Sequence, residues 1–334
     1  MKPIVSVVIP NLNAKGWLER CLRSLQAQTL QPVEIILVDQ NSNDGSADYV
    51  AATFPDVRLI RQPDDRGFTG ACNEGMRAAQ GEFIALFNTD ARAEPDWLEA
   101  LVKAMGNDET IGSAACLTLD YHDSKLIYSL GDGFLPSGDA FNIGRGMAWR
   151  PSLPMPRYVF GGSGCTVIYR RSALDRVGLL DEDYYTFHED VDLAWRLQLA
   201  GFKCLYAPQA VAYHVGNATG RKFRERNAFI SGRNRWFVLF KNLPLGLWIR
   251  YAPQMALRQA RVVWWAIKGD EESRVRCRGA LSSLVFLRRE WRKRRQVQRS
   301  RLLSTAEAAA MLRAHEQLRQ RLEAIAEQEM AGEI

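Results

Sequence analysis

Short, continuous apolar runs alternate with helix-period segments over the first 90 residues, and no other feature limits the fold of this chain as strongly. Residues 5–9 form a β-branched run, and the apolar side chains of 17–25 then recur at spacings of three and four, the period of a helix. The alternation continues with apolar runs at 33–38, 57–60 and 83–87 and with helices expected from Ser46 and over 69–80, the latter ended by Gly81. Continuous apolar strands joined by helical crossovers are typical of a mostly parallel sheet with helices on both faces. The sequence therefore predicts an α/β fold.

Polar side chains follow three of the predicted strands at the point where each strand ends. Asn11 and Asn13 follow the first strand, residues 39–44 follow the second, and residues 88–90 follow the fourth. Because the carboxyl ends of parallel strands meet at one edge of a sheet, these loops are expected to converge on the crevice where open α/β sheets bind ligands. The pattern predicts a single binding site built from three separate loops.

The composition excludes several classes of protein. With 334 residues, 47% of them hydrophobic and 25% charged, the chain matches globular proteins rather than disordered, collagen-like or disulfide-stapled ones. No apolar stretch of the sequence reaches the roughly 18 residues of a spanning helix. The first apolar run stops at Pro10, which is too short for a signal peptide. Six scattered cysteines without a CxxC pair indicate a reducing compartment, and we expect a cytoplasmic protein.

Charge is divided unevenly along the chain. The formal net charge is −8 for residues 1–220, +17 for residues 221–301 and −3 for residues 302–334. Such asymmetry predicts a basic module that binds a polyanionic surface, either a membrane or nucleic acid. The acidic module is expected to have a different function. We therefore divide the chain into three parts at residues 220 and 301.

Seven motifs within residues 5–216 stand in the order found in one known family. They are VSVVIPNLN (5–13), ILVDQNSNDGS (36–46), RGFTGACNEG (66–75), FNTD (87–90), GGSGC (161–165), LDEDYYTFHEDVDLAWRLQLAG (180–201) and YHVG (213–216). In these motifs the chain resembles the inverting glycosyltransferases of family 2, which have the Rossmann-like GT-A fold. The resemblance implies a nucleoside-diphosphate sugar as donor, Mg²⁺ or Mn²⁺ as cofactor and a hydroxyl group as acceptor. It makes residues 1–220 the catalytic domain, followed by a helical C-terminal extension.

The RGFTGACNEG element and the basic region after residue 220 resemble the bacterial rhamnosyltransferases that build surface polysaccharide. This narrower resemblance implies transfer from dTDP-rhamnose or a UDP-sugar to a saccharide acceptor, lipid-linked if the basic region meets a membrane. A non-catalytic protein that binds a nucleotide sugar or a nucleic acid on the same scaffold is the alternative.

Nine residues are candidates for binding the donor. Asp39 follows a buried strand, where its carboxylate can accept from N3–H of uracil or thymine, as the resemblance implies; an Asx turn is the alternative. Arg66 and Gly67 precede a helix, where backbone amides and a cation can meet phosphate or base, although an arginine in a turn is often simply solvated. The complete set is Pro10, Asn11, Asn13, Asp39, Asn41, Arg66, Gly67, Asn88 and Asp90, of which the asparagines are also ordinary turn residues.

Asp90 and His214 are the candidate metal ligands. A carboxylate can hold Mg²⁺ or Mn²⁺ beside the leaving diphosphate and so neutralise its growing charge. The alternative for Asp90 is the N-cap of a helix that begins near Pro95. His214 stands where relatives with a metal-ligating histidine have theirs, although a lone histidine near a strand end is usually structural. Asn88 stands where the family often has an acidic residue, which predicts weaker metal binding.

Asp190 is the candidate catalytic base. An inverting transfer needs one base opposite the leaving group to take the proton of the attacking hydroxyl. Asp190 matches the acidic pair of the family, with Glu189 as the alternative, and Asp192 is expected to orient Arg196. The acidic residues also suit the first turn of a helix as dipole partners. The candidate acceptor contacts are Gly162, Ser163, Gly164 and Trp195, for which a plain tight turn and a core tryptophan are the alternatives.

Beyond residue 220 the pattern changes to long helices. Residues 236–269 mix tryptophans, leucines and arginines, the composition of a helix in a membrane interface, and the basic run 288–301 adds attraction to anionic lipids. We therefore expect a protein bound at the inner face of the cell membrane. A solvated helical hairpin packed on the catalytic domain is the alternative, and nucleic acid is an unlikely partner because no zinc spacing or RNP-like strand accompanies the charge. Residues 302–334 are expected to end in one more helix.

Overall fold

The computed structural model describes residues 2–216 and 223–330, with side chains through residue 328. The strands are β1 (Val5–Asn11), β2 (Val33–Gln40), β3 (Arg58–Gln62), β4 (Phe83–Phe87), β5 (Ala91–Ala93), β6 (Ile111–Asp120), β7 (Ile127–Ser129), β8 (Asp132–Phe134), β9 (Ala140–Asn142), β10 (Tyr158–Val159), β11 (Thr166–Arg170) and β12 (Lys203–His214). The helices are α1 (Lys15–Gln26), α2 (Ser46–Thr53), α3 (Gly67–Ala78), α4 (Trp97–Met105), α5 (Arg171–Val177), α6 (Glu189–Leu199), α7 (Arg224–Asn242), α8 (Leu245–Ile267), α9 (Glu271–Ser282), α10 (Leu287–Arg299) and α11 (Thr305–Met330). Two 3₁₀ turns lie at Glu182–Tyr184 and Ser283–Phe286.

The main sheet has the order β10-β12-β6-β11-β4-β1-β2-β3, with β5 beside β12 and β7 beside β6. Strands β4, β1, β2 and β3 are parallel, as the sequence predicts, and β6 and β12 form a second parallel pair. Strand β11 runs antiparallel between β4 and β6 and joins these two groups. The α/β prediction with a C-terminal helical extension is confirmed. The sheet is mixed because β11 enters it in the reverse direction.

Both faces of the sheet are covered, so its central strands are buried and continuously apolar. Helices α1, α2 and α4 pack on one face, and α3, α5 and α6 pack on the other. Helix α3 lies close to β1 because Gly75 has no side chain, and a Cβ there would lie 2.3 Å from Val8 Cγ1. Helix α3 begins at Gly67, two residues before the predicted start, and α4 begins at Trp97 rather than near Pro95, since residues 91–93 form β5.

The C-terminal extension shares a hydrophobic core with the sheet domain. Side chains from α7, α8 and α11 pack against Trp195 and its neighbours in one buried cluster. Asn234 Nδ2 in α7 donates to the backbone carbonyls of Tyr184, Thr186 and Phe187 at 2.8–2.9 Å. The extension therefore holds the loop that leads into α6. The predicted boundary at residue 220 lies outside the described residues.

Part of the basic run at 288–301 faces the sheet domain rather than solvent. Lys293 Nζ binds Asp181 at 2.7 Å and also binds Asp183, and Arg289 pairs with Asp183 at 2.9 Å. Arg294 Nη1 donates to the carbonyls of Phe240 and Leu243. The expectation that the whole run meets lipid is therefore wrong for these three cations. The exposed basic stripe consists of Arg288, Arg292, Arg295 and Arg299, which share one face of α10.

None of the helices in residues 2–216 and 223–330 is both long enough and apolar enough to cross a bilayer.

Candidate active site

Asn11 and Asp39 lie side by side at the carboxyl ends of β1 and β2, in paired register positions of two parallel strands. Asn11 Nδ2 donates to Asp39 Oδ1 at 2.7 Å, and the Ser42 backbone N–H donates to Asp39 Oδ2 at 3.0 Å. Asp39 therefore closes the turn after β2, as the alternative interpretation holds. Each carboxylate oxygen keeps a further lone pair, so this turn does not exclude a hydrogen bond from a bound base.

The loops after β1 and β2 are joined by hydrogen bonds. Asn13 Oδ1 accepts from the Asn43 backbone N–H at 2.8 Å, and the Asn13 backbone N–H donates to Ser42 Oγ at 2.9 Å. Asn13 and Asn41 have φ values of 51° and 56°, a left-handed conformation that asparagine tolerates better than most residues. Pro10 lies half-buried just before the end of β1. These residues form the rim of the crevice at the carboxyl ends of β1 and β2.

Gly67 begins α3 in a place that only glycine fits. Its φ is +72°, and a Cβ would lie 2.5 Å from the Tyr185 carbonyl oxygen. The neighbouring Arg66 reaches across the crevice, where its Nη2 lies 3.1 Å from Glu182 Oε2. The two residues thus connect α3 to the loop before α6, and the Arg66 side chain is 42% exposed beside a carboxylate partner.

Asn88, Asp90 and His214 meet beyond the end of β4. His214 Nε2 lies 2.9 Å from Asp90 Oδ1 and 3.2 Å from Asn88 Nδ2. They converge because β12 pairs with β5, which places His214 opposite Ala91, directly after Asp90. Burial alone would lower the pKa of His214, but Cys165 and Asp90 raise it, and the net shift is well above its usual value. The alternative of Asp90 as a helix N-cap is wrong, since α4 begins seven residues later with Asp96 at its N-cap.

These residues fit a divalent cation in part. Asp90 supplies carboxylate oxygen, His214 supplies imidazole nitrogen, and Asn88 Oδ1 is buried without a hydrogen-bond partner in the described chain. The described residues contain no cluster of three or more His, Cys, Asp or Glu side chains suited to a metal ion. Two protein ligands suit a cation that also takes oxygens from a bound diphosphate.

Cys165, which the sequence analysis did not select, is buried beside this group. Burial raises the pKa of its thiol, but the neighbouring His214 lowers it, and the net direction is downward. Its backbone carbonyl accepts from the Asn88 N–H at 3.0 Å. Its position at the end of the GGSGC motif is the sequence feature that could have identified Cys165 as a candidate.

The loop 161–165 also reaches the candidate base. The Gly164 backbone N–H donates to Asp190 Oδ2 at 3.0 Å, and the Val191 N–H donates to Asp190 Oδ1 at 2.8 Å. At Gly162 a Cβ would lie 2.4 Å from Val167 Cγ2, so the glycines let this loop lie close against β11 and α6. Ser163 is half-buried, with its Oγ 3.4 Å from Cys165 Sγ. One five-residue loop therefore joins the Asn88–His214 group to Asp190.

Three carboxyl groups interact at the start of α6. Burial, and then Asp190, raise the pKa of Glu189 and of Asp132 well above the usual range. Burial also raises the pKa of Asp190, although the two backbone N–H donors oppose the shift. Glu189 Oε2 is buried without a partner in the described chain, whereas both carboxylate oxygens of Asp190 accept backbone hydrogen bonds that favour its anion against burial. Asp132 was missed because it lies in a short hairpin without a recognisable motif.

Asp192 has a structural role. It pairs with Arg196 at 2.9 Å, as the sequence predicts, and with Lys241 of α7 at 2.9 Å. Asn242 Nδ2 also donates to it at 2.8 Å. Burial raises its pKa, but Lys241 and Arg196 lower it below the usual range. This carboxylate fixes α6 against the extension.

Trp195 does not contact the crevice. Its side chain is fully buried and packs edge-to-face on Phe134 and Phe160. It faces away because it lies on the side of α6 that meets the extension. The expectation that Trp195 contacts the acceptor is therefore wrong, and its alternative as a core residue is correct.

The sheet, the strand-end crevice and the acidic start of α6 define a glycosyltransferase of the GT-A fold. A family model described as "Glycosyl transferase family 2" matches residues 6–178. The chain belongs to this family.

The relatives are consistent with that assignment. The chain is 30% identical over 246 residues to the N-acetylglucosaminyl-diphospho-decaprenol L-rhamnosyltransferase of Mycobacterium tuberculosis, covering 66% of this chain and 79% of the relative. Among solved structures it is similar in fold to the Pyrobaculum calidifontis mannosyltransferase PcManGT in complex with GDP-Man and Mn²⁺, with a TM-score of 0.55, 19% identity, and coverage of 90% and 86%. It also resembles GalNAc-T7 with UDP, GalNAc and Mn²⁺, with a TM-score of 0.57, 18% identity, and coverage of 72% and 48%.

Proposed function

We propose that this glycosyltransferase transfers a sugar, with inversion, from a nucleoside-diphosphate sugar to a hydroxyl of a lipid-linked saccharide in bacterial surface polysaccharide synthesis. The donor is dTDP-rhamnose or a UDP-sugar. The observation that carries the proposal is the loop 161–165, which binds the Asn88 backbone through the Cys165 carbonyl and the Asp190 carboxylate through the neighbouring Gly164 N–H. The similarity to a rhamnosyltransferase whose name specifies a diphospho-decaprenol acceptor supports the acceptor class.

Asp190 acts as the base. Its carboxylate takes the proton of the acceptor hydroxyl while the oxygen attacks the anomeric carbon, and the bond to the diphosphate breaks on the opposite face with its electron pair. The hydrogen bonds from Gly164 and Val191 orient the carboxylate. Glu189 is the alternative base, but its burial among carboxyl groups favours its protonated form.

Asn11, Asp39 and the Asn13–Asn43 loops hold the nucleotide at the strand ends. Asp39 accepts from the pyrimidine N3–H, and the rim asparagines contact ribose or base. Asp90 and His214, with Asn88 beside them, would hold Mg²⁺ or Mn²⁺, which would neutralise the charge of the leaving diphosphate. Gly162, Ser163 and Gly164 line the acceptor side, and Arg66 and Gly67 border the donor side.

The protein binds at the inner face of the cell membrane through its extension. Large apolar side chains there are exposed, namely Leu245, Ile249, Leu257, Val263, Trp264, Trp265, Ile267, Leu281, Leu284, Val285, Leu287, Trp291 and Leu302. A concentration of exposed large apolar side chains in one region supports a membrane contact there. The exposed basic stripe of α10 adds attraction to anionic headgroups.

The test is turnover. The purified protein is incubated with dTDP-rhamnose, several UDP-sugars and GDP-sugars, with Mg²⁺ or Mn²⁺, and with a polyprenyl-diphosphate-linked saccharide in vesicles. We expect release of nucleoside diphosphate and a product of inverted anomeric configuration by NMR. Donor protection against thermal unfolding without any such release would support the non-catalytic alternative. Retained configuration would contradict the role of Asp190.

A further inference from the structure

A pocket lined by arginines opens beside the start of α6. Its charged and ionisable lining residues are Asp139, His188, Arg235, Arg258 and Arg276, and its volume is about 190 Å³. We call it the arginine pocket. His188 directly precedes Glu189 and Asp190, so the pocket begins two residues from the proposed base.

Close helix packing brings these arginines together. Arg276 belongs to α9 and Arg235 to α7, and the two helices meet backbone to backbone at glycines. A Cβ at Gly232 would lie 2.4 Å from the Arg276 carbonyl oxygen, and one at Gly279 would lie 2.1 Å from the Phe229 carbonyl oxygen. The extension therefore places cations from three helices at one point, since Arg258 comes from α8.

Positive charge in the pocket exceeds negative charge. Asp139 is the one carboxylate among the described lining residues, and it serves both Arg235 at 3.2 Å and Arg258 at 2.9 Å. Arg276 pairs at 2.8 Å with Glu272, which does not line the pocket. The Arg235 residue has a relative exposure of only 4%. Its Nη1 has no hydrogen-bond partner in the described chain. A buried guanidinium N–H without an acceptor is costly unless a ligand supplies one.

Burial and the crowding of cations shift the pKa values of the groups that line the pocket. Burial lowers the pKa of Arg235 to about 10, Asp139 opposes that shift, and Arg258 adds to it. Burial, together with Arg235, Arg276 and Arg258, lowers the pKa of His188 to about 4. An anion bound in the pocket would oppose the lowering of both pKa values.

An apolar cleft of about 490 Å³ adjoins the arginine pocket. The two share Trp236, Gln259 and Ala280 in their linings. The rest of the apolar cleft is formed mainly by Phe237, Phe240, Trp248, Val263, Leu281, Leu284 and Leu287. Several of these side chains belong to the exposed apolar surface of the extension, so the cleft opens on the face proposed to meet lipid.

We propose that the arginine pocket binds the diphosphate of the lipid-linked acceptor and that the apolar cleft binds the first isoprenoid units of its tail. This inference rests on the proposed function for the identity of the occupant. Saccharide, diphosphate and hydrocarbon follow one another in such a molecule, and Asp190, the three arginines and the apolar cleft follow one another in the protein. Guanidinium groups suit diphosphate because they donate pairs of charge-assisted hydrogen bonds.

The test is a binding measurement that needs neither donor nor turnover. Farnesyl diphosphate is titrated into the full chain in EDTA, so that a metal-dependent donor site does not contribute. We expect Arg258→Gln to weaken binding roughly tenfold or more, the usual scale for losing a charge-assisted hydrogen bond. The matched control Arg261→Gln removes an exposed charge from the same helix outside the pocket and should bind as the wild type does. Equal weakening in both variants would overturn the proposal.

The apolar cleft is tested in the same way. Leu284→Glu places a charge in the apolar cleft and should reduce binding of farnesyl diphosphate but not of inorganic diphosphate. Val285→Glu is the control, since Val285 is 80% exposed and does not line the cleft. Inorganic diphosphate binding as tightly as farnesyl diphosphate would contradict a tail site. Farnesyl diphosphate could bind as expected while no donor yields free nucleoside diphosphate. That result would support the prenyl-diphosphate site and contradict the transferase proposal.

Discussion

The half of the site proposed to bind the donor and the half proposed to bind the acceptor are built in different ways. In the proposed donor half, Asn11 and Asp39 lie at the carboxyl ends of β1 and β2 and Asp90 follows the end of β4, so the parallel sheet alone brings them to one edge. In the acceptor half, the hairpin of Asp132, the start of α6 and three helices of the extension meet only through packing. Local sequence therefore determines one half, and long-range contacts determine the other.

The largest expected effect would separate chemistry from donor binding. Asp190→Asn keeps the shape of the side chain but removes the proton acceptor, so turnover should fall by roughly 10²- to 10⁴-fold. Donor affinity should stay nearly unchanged, because the donor half is untouched. Steady-state rates and thermal protection by the donor measure the two quantities. If Glu189→Gln abolishes turnover while Asp190→Asn does not, Glu189 is the base.

Variants of the exposed basic stripe test whether the proposed acceptor half binds to a membrane. Changing Arg288, Arg292, Arg295 and Arg299 to Gln should weaken binding to anionic vesicles, by up to about 1 kcal/mol per residue at low salt. Flotation with vesicles at low and high salt measures this, and the reaction with a soluble acceptor analogue should persist. A variant of four exposed cations elsewhere, Lys103, Lys125, Arg313 and Arg321, is the control. The proposal fails if both variants bind alike, and salt-sensitive binding to nucleic acid instead would favour the rival partner.

The comparison also shows what the sequence can and cannot predict. Asp39, Asp90 and Asp190 could be selected as candidates because each lies in a short motif at a strand or helix end. Trp195 was misplaced because its motif does not reveal that α7 and α11 cover that side of α6. Arg235 and Asp132 were missed since no local pattern distinguishes them from surface residues. The prediction that a basic run faces lipid failed for Lys293, because charge counts do not show that Asp181 and Asp183 face it.

The proposed metal ligands test the proposed donor half separately. Asp90→Ala should weaken metal-dependent donor binding by about 10- to 100-fold, the scale of perturbing a metal site, and His214→Ala should do so less. Binding of farnesyl diphosphate in EDTA should not change in either variant. Titration of donor with and without Mn²⁺ measures the effect. Activity that survives a chelator would contradict the metal role of both residues.

The smallest expected effect concerns the contact that holds the extension on the sheet domain. Asp181 accepts from Lys241 and Lys293, each at 2.7 Å, and these cations lower its pKa below the usual value despite its burial. A carboxyl group with a depressed folded-state pKa stabilises the fold above its unfolded pKa of about 4 and loses that contribution as pH falls toward the folded value. Asp181→Asn should therefore lower the free energy of unfolding by roughly 1.5 kcal/mol at pH 7, the lower end of the range for charged hydrogen bonds, since Lys241 keeps Asp192.

The same variant should differ less from the wild type as the pH falls below 4, because Asp181 of the unfolded wild type then binds a proton while the folded state keeps its carboxylate ionised, which stabilises the unfolded state. Urea unfolding at pH 7 and pH 3 measures the difference, with Asp175→Asn, at an exposed position, as the control. Equal destabilisation at both pH values would mean that shape rather than charge matters at Asp181. A loss limited to pH 7, with donor protection intact, would show that the extension is held by these ion pairs while the donor half depends on the sheet alone.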